Sequence, residues 1–338
     1  MNTKLLHTLD TDLDLAAEIL KNGGLVAMPT ETVYGLAANA LNTQAVVNIF
    51  KAKGRAQDNP LIVHIAKFED LPRYVRDIPP AAQKLADAFW PGPLTMIFQK
   101  QPVIPAQVTC GMETVAVRMP AHPVALQLIQ KSGCPLAAPS ANLSGGVSPT
   151  SATACMQDLN GKIDAVVDGG SCRVGLESTI VLMTSTPPRL LRPGFITKEQ
   201  IENVIGPINV DPAVLKPLAK GVKPTSPGMK YKHYAPKAKV VLIDGESQKY
   251  IDYVNQHTGD NVFALCFSEE QNALLKPSLS YGAEHDGKTQ AALLFQSLRE
   301  FDRLGAKLVL AHMPSAEGIG LAVLNRLLRA AAFEVIHL

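Results

Sequence analysis

Between about Asp211 and Lys239 neither a helical nor a strand period can be traced in this chain. Pro212, Pro217, Pro224, Pro227 and Pro236 interrupt the stretch. From Pro212 to Ile243 there is no Asp, Glu or Arg but seven lysines, at 216, 220, 223, 230, 232, 237 and 239. Proline fixes φ and removes a backbone donor, so no core helix or central strand runs through such a segment. The chain is therefore expected to fold as two units joined by a long basic connector. Its 338 residues fit two domains at roughly 150 residues each. Either unit is long enough to bury its own core.

On each side of the connector, short apolar runs alternate with segments of helical period. Before it, strand-like runs fall at 25–28, 61–65, 94–98, 114–117, 165–167 and 179–182. Helices fit 13–22, 43–50 with Thr43 as cap and Gly54 as stop, 81–89, 124–131, 152–159 and 198–204. After it, strands are expected at 240–243, 262–266 and 307–311, and helices at 248–255, 289–304 and 321–330. The pattern is α/β throughout. The first unit should carry a mixed sheet, because some strands follow each other closely. The second should be a smaller, mostly parallel, Rossmann-like sheet of roughly 100 residues. The boundaries expected are 1–211, 212–239 and 240–338.

Lys plus Arg is 32 and Asp plus Glu is 30, a net charge of +2 that gives no support to a bulk polyanion binder. The connector's lysines exceed that net charge, so the rest of the chain is mildly acidic. No apolar run approaches the ~18 residues that span a bilayer, and the N-terminus does not read as a signal peptide. Five cysteines without a C-x-x-C pair argue against a disulfide framework or a zinc site and fit a reducing cytoplasm.

Four sets of loops carry polar residues that a fold does not need. Thr30, Thr32 and Tyr34 follow the strand at 25–28, where open α/β sheets place ligands; helix capping and a packed Tyr would account for them equally well. Lys53 and Arg55 flank a helix-ending glycine and can project toward one polyphosphate. As cations at a helix C-terminus they would have a purely local role. Pro139 to Thr150 joins hydroxyls and glycines ahead of a helix, an anion-binding geometry; otherwise it is a connector with Ser148 or Thr150 as cap. Thr114 and Arg118 bracket a strand, Gly175 to Thr179 opens another, and Arg192 ends a third apolar run. Singly such arginines are solvated caps; together they make a floor for oxyanions. No Walker motif, G-x-S-x-G or metal-ligand cluster is present, so covalent catalysis is not signalled.

Taken in order, PTETVYGLA (29–37), KGR (53–55), DNPLIVHI (58–65), WPGPLT (90–95), TVAVRMPAHP (114–123), PSANLSG (139–145) and SPT (148–150) form a pattern. It continues through GLESTIV (175–181), LRPG (191–194) and SPGMKYKHYAPKA (226–238). These stretches resemble the two-domain threonylcarbamoyl-AMP synthases, the long relatives of the YrdC-type proteins. The sequence departs at Ala56, where that family usually has Pro. The resemblance implies a YrdC-type catalytic domain and a nucleotidyltransferase that makes threonylcarbamoyl-AMP and pyrophosphate from L-threonine, bicarbonate (or CO2) and ATP. The product feeds threonylcarbamoyladenosine formation in tRNA through a downstream transferase.

Carried onto matching positions, the resemblance puts ATP on Lys53, Arg55, Asn59, Thr114, Ser140, Ser148 and Arg192, with Lys53 and Arg55 as the catalytic cations. Tyr231 or Tyr234 would close over the nucleotide. Threonine falls on Thr32, His64, Arg118, Ser178 and the backbone at Ala138, with Arg118 on its carboxylate. Mg2+ would arrive with ATP, without a protein ligand set. The connector would be a lid, and direct tRNA contact is conceivable. Two other readings stand beside this one. A non-enzymatic tRNA- or double-stranded-RNA-binding module is disfavoured by low net charge and few aromatics. A carbamoyl transferase is disfavoured by the missing zinc-finger spacing.

Overall fold

The structure, a computed structural model, describes residues 2–217 and 234–338. The first part builds β1 (Lys4–Leu6), α1 (Asp10–Lys21), β2 (Val26–Met28), β3 (Gly35–Asn39), α2 (Thr43–Lys53), β4 (Ile62–His64) and α3 (Pro80–Phe89). It continues through β5 (Leu94–Gln99), α4 (Ala106–Thr109), β6 (Thr114–Arg118), α5 (Pro123–Ser132), β7 (Leu136–Ala137) and α6 (Ala152–Leu159). It ends with β8 (Ala165–Val167), β9 (Thr179–Leu182), β10 (Arg189–Arg192), α7 (Lys198–Ile205) and β11 (Asn209–Val210). Its strands form one mixed sheet in the order β1-β8-β2-β3-β7-β4-β6-β5-β9-β10-β11. The second part holds β12 (Lys239–Asp244), α8 (Ser247–Gln256), β13 (Val262–Cys266), β14 (Ser278–Ser280), α9 (Gly287–Arg303), β15 (Leu308–His312), α10 (Gly320–Ala330) and β16 (Val335–His337). Its five strands pair in parallel, in the order β14-β13-β15-β12-β16.

The expected elements are present, with shifted ends. α1 starts at Asp10 because Asp10 and Asp12 suit the positive end of a helix. The cap of α2 is Asn42, whose side chain accepts from the Ala45 amide, and not Thr43. Gly54 ends that helix at φ 60°, a left-handed position that suits glycine. The cap of α6 is Ser151, and neither Ser148 nor Thr150.

The two parts share a core. Val33, Val147 and Leu176, from three separate loops of the first part, are buried in one apolar cluster with Leu294, Phe295, Leu298 and Leu327 of the second. Fully burying such a side chain contributes roughly 1.5–3 kcal/mol. Arg299 of α9 adds a bidentate pair with Asp158, at 2.8 and 3.2 Å, and a bond to the Val147 carbonyl. The five cysteines are free. No helix among the described residues is long and apolar enough to cross a membrane.

Candidate active site

Strand register brings the polar residues to one edge of the large sheet. His64 pairs with Arg118 across β4 and β6, and Arg118 with Thr95 across β6 and β5, so the three stand abreast. β4 and β6 run parallel, and this edge is their carboxyl end, where such sheets bind ligands. β9 lies beside β5 in parallel, which puts Ser178 at the same level, and β10 returns with Arg192 opposite Ile180. A cavity of about 60 Å3 opens there. Thr32, Arg55, His64, Arg118, Ala138, Ser140, Ser178, Arg192 and Tyr234, all expected site residues, line it, with Thr30 and Glu177 among the others.

Arg118 is 4% exposed and its donors are largely committed. It donates to Glu31 Oε1 at 2.6 Å, to Thr32 Oγ1 at 2.9 Å and to the Gly92 carbonyl at 3.2 Å. Burial alone would raise the Glu31 carboxyl, but Arg118 overcomes it and holds the group below the usual carboxylate value. Arg192 donates to the Ser178 carbonyl at 3.0 Å and to its hydroxyl at 3.2 Å, and that hydroxyl also shares a 2.7 Å bond with Thr95. Threonine and serine hydroxyls are thus held by guanidinium groups and present fixed dipoles to the cavity.

Not every expected residue reaches it. Lys53 is buried beneath the loop after β7, where its ammonium donates to the Ser140 carbonyl at 2.5 Å and to the Asn142 carbonyl. It props the loop and does not line the cavity. Ser148 donates to Glu177 Oε1 at 2.6 Å behind the cavity wall. Asn59 is 1% exposed, and neither amide atom of its side chain finds a hydrogen-bond partner among the described residues. Thr114 opens β6, four residues from Arg118 and so roughly 13 Å away at strand rise. Tyr34 is core, its hydroxyl tied to Gly169 and Gly170. Tyr231 lies outside the described residues, as does most of the connector. Tyr234 stacks on Phe295 with ring centroids 5.3 Å apart.

Glu31, Glu177 and Arg326 carry the site without having been singled out by sequence. Arg326 had a signal: it sits four residues after Ala322 and three after Val323, on the apolar stripe of α10, where an arginine needs a buried partner. Among the described residues no group of three His, Cys, Asp or Glu side chains could hold a metal ion.

Burial, then the positive charge of Arg118, depresses the His64 imidazole to about 3, and its Nδ1 has no hydrogen-bond partner among the described residues. The ring is therefore neutral in the folded protein, whereas the unfolded chain takes up a proton near pH 6.5. Below that pH the unfolded state binds more protons, so this residue makes stability fall with pH until about pH 3. His64→Gln is expected to remove roughly 1.5–2 kcal/mol of the acid-induced loss between pH 6.5 and 5. Urea unfolding of both proteins at the two pH values checks this; an unchanged difference would contradict the buried, neutral ring.

A cleft lined by Arg55, Arg118 and Arg192 and by serine and threonine hydroxyls, on an α/β sheet, suits an enzyme that joins anionic groups by positioning and charge. The first part of the chain, residues 18–194, matches the Sua5/YciO/YrdC family model, described as "Telomere recombination". Residues 196–332 match the model described as the C-terminal domain of threonylcarbamoyl-AMP synthase. The chain is 47% identical to the threonylcarbamoyl-AMP synthase of Pyrococcus abyssi, covering 95% of this chain and 94% of that one. It is 45% identical to the Bacillus subtilis enzyme of that name, over 99% and 97% of the two chains. The structure of P. abyssi Sua5 complexed with L-threonine superposes with a TM-score of 0.93 at 43% identity, over all of both chains. The chain belongs to the two-domain threonylcarbamoyl-AMP synthase family, and it is a nucleotidyltransferase.

Proposed function

We propose that threonylcarbamoyl-AMP synthesis, the activity of this chain, takes place in the cavity at the edge of β4, β6 and β9. Threonine is assigned to Thr32, His64, Arg118, Ser178 and the Ala138 backbone, and ATP to Arg55, Ser140, Arg192 and Tyr234. The observation that carries this is the row of His64, Arg118 and Thr95, with Ser178 and Arg192 beside it: hydroxyls and guanidinium groups converge on one small volume. In the reaction the threonine amine adds to CO2 drawn from bicarbonate and loses a proton. The carbamate oxygen then attacks the α-phosphorus of ATP, and pyrophosphate leaves. Two anions must meet, so arginines do more here than a protein nucleophile would.

Lys53 and Ser148 support this site from behind, the first by fixing the loop that carries Ser140, the second through Glu177. Asn59 retains its assignment to ATP, which would satisfy its unpartnered amide. Thr114, farther along β6, fits an extended nucleotide and not the threonine. Mg2+ enters with the triphosphate, whose oxygens would hold it; it supplies neutralisation of phosphate charge. Tyr234, in the cavity lining, would close over the nucleotide. Residues 1–211 are taken as the catalytic unit, 212–239 as the connector and 240–338 as the second domain. The product is a carbamic–phosphoric mixed anhydride, so a transferase acting on tRNA must consume it before water does; we place both steps in the cytoplasm.

The test is radiolabelled bicarbonate. The expected result is label in a threonine adduct of AMP, formed only with ATP and threonine together and released with pyrophosphate. No adduct under any condition would refute the reading.

A further inference from the structure

Arg326 belongs to α10 of the second domain, yet its guanidinium lies against Glu177 and Tyr234, which line the first domain's cavity. It is fully buried. Its Nε donates to Glu177 Oε2 at 3.0 Å and one terminal nitrogen to the Glu177 carbonyl at 3.1 Å. The other donates to the Pro193 carbonyl at 2.6 Å and to Asn325 Oδ1 at 3.1 Å. Its central carbon stands 5.8 Å from the centroid of the Tyr234 ring. One side chain thus holds the residue before Ser178, the residue after Arg192 and the Tyr234 ring of the cavity lining. Through the second oxygen of Glu177 it also fixes the Ser148 hydroxyl.

The backbone around Glu177 is clamped in the same way. Gly175 adopts φ +79°, and a Cβ there would stand 2.4 Å from the Ala291 carbonyl oxygen of α9, so only glycine lets the loop approach that helix. Leu176 enters the second domain's apolar cluster together with Val33 and Val147. Three loops that carry cavity residues are therefore seated on the second domain, and Arg326 makes polar contact with a lining residue itself, Glu177. A buried ion pair is weak evidence for stability, because desolvation offsets much of its attraction. Its location, one residue from Ser178 and one from Arg192, is better explained by geometry that the site requires.

We propose that Arg326 is a positioning residue of the synthase site, through which the second domain sets the placement of Glu177, Ser148, Ser178 and Tyr234. The inference rests on the assignment of Ser178, Arg192 and Tyr234 to the substrates.

Arg326→Lys keeps the charge but loses the planar fork, and an ammonium cannot serve Glu177 and Pro193 in the same directions. In the full-length protein, pyrophosphate release with threonine, bicarbonate and ATP is expected to lose about 100-fold in kcat, the scale of a 1 Å misplacement. KM for ATP is expected to rise alongside it. A role in domain docking alone would lower Tm and the amount of active enzyme while leaving KM in place, and that pattern overturns the proposal. Glu177→Gln, which preserves shape, is expected to move the same two parameters; wild-type kinetics in Glu177→Gln overturn the proposal even if Arg326→Lys does not fold. Combined, the two substitutions are expected to cost less than the product of their single effects, because they break one linkage; multiplicative effects argue against it. If Ser178→Ala retains full turnover while Arg326→Lys loses it, the assignment of Ser178 fails and that of Arg326 stands.

Discussion

Arg118→Ala is expected to abolish threonine-dependent pyrophosphate release and, at neutral pH, to lower unfolding free energy by about 3–5 kcal/mol. The two losses have different origins. Arg118 and Glu31 pair at 2.6 Å with side chains 5% and 4% exposed, so removing the guanidinium leaves a carboxylate in the interior without its counter-ion. The other Glu31 oxygen accepts the Ala121 amide, at 3.1 Å, which does not replace a cation. The pH dependence identifies the cause. In the native protein the Glu31 value is depressed, so its contribution is present above the unfolded value and is lost as pH falls through the folded one. Without Arg118, only backbone amides still oppose burial, which is the largest influence on the group and should raise that value above the ordinary 4.5. The deficit of the variant should therefore grow as pH rises through about 4.5 and shrink below it. Urea unfolding at pH 4 and pH 7 measures this. Adding Glu31→Gln to an Arg118→Met background removes the stranded charge and should restore much of the stability at pH 7 without restoring turnover. If turnover returns with stability, Arg118 does not touch threonine and its role is only to hold Glu31.

That pair shows where sequence reasoning stops. The positions of the loops were legible: an apolar run ending in Pro29, a helix ending at Gly54 and a strand ending at Arg118 each place polar residues at a strand or helix end. Periodicity also found the longer helices and the buried strands. It passed over β1, β7, β10, β11, β14 and β16, which span only two to four residues and leave no period to read, and β3, whose five small or apolar residues follow directly on the loop read at 29–36. Side-chain direction was the larger loss. Nothing local tells that Lys53 turns inward to two carbonyls 87 and 89 residues away, or that Glu31 is spent on Arg118 87 residues on. Arg326 and Glu177 are separated by 149 residues, and their contact depends on two domains docking. The amphipathic pattern of α10 marked Arg326 as misplaced on an apolar face but named no partner. Residue types fix which chemistry is possible. Tertiary register decides which of those residues meet the substrate and which hold the others in place.

Lys53 and Arg55, only two residues apart, should therefore fail in different ways when replaced. Arg55 lines the cavity and is anchored by the Asn59 carbonyl at 2.9 Å, with its guanidinium 6.0 Å from the Phe50 ring. Arg55→Ala removes a preorganised cation from the place where charge develops, a loss of about 2.7–4 kcal/mol in transition-state stabilisation and so roughly 100- to 1,000-fold in kcat/KM. The fold should notice less than it does for Arg118→Ala, because Arg55 is only half-buried and donates to the Asn59 and Pro60 carbonyls. Lys53 is different. Burial, then the charge of Arg55, pulls its ammonium well below the ordinary lysine value, and the Ser140 and Asn142 carbonyls are what it has in exchange. Lys53→Met fills similar space but leaves those carbonyls without their donor, at about 1–3 kcal/mol each. The loop from Pro139 should then shift, carrying Ser140 with it, so both Tm and turnover fall. Measuring the two variants side by side separates contact from support: Arg55→Ala folded and inactive, Lys53→Met less stable and impaired. Should Lys53→Met keep its Tm and lose only turnover, Lys53 contacts ATP directly, and the inward orientation described above is not the one in which it works.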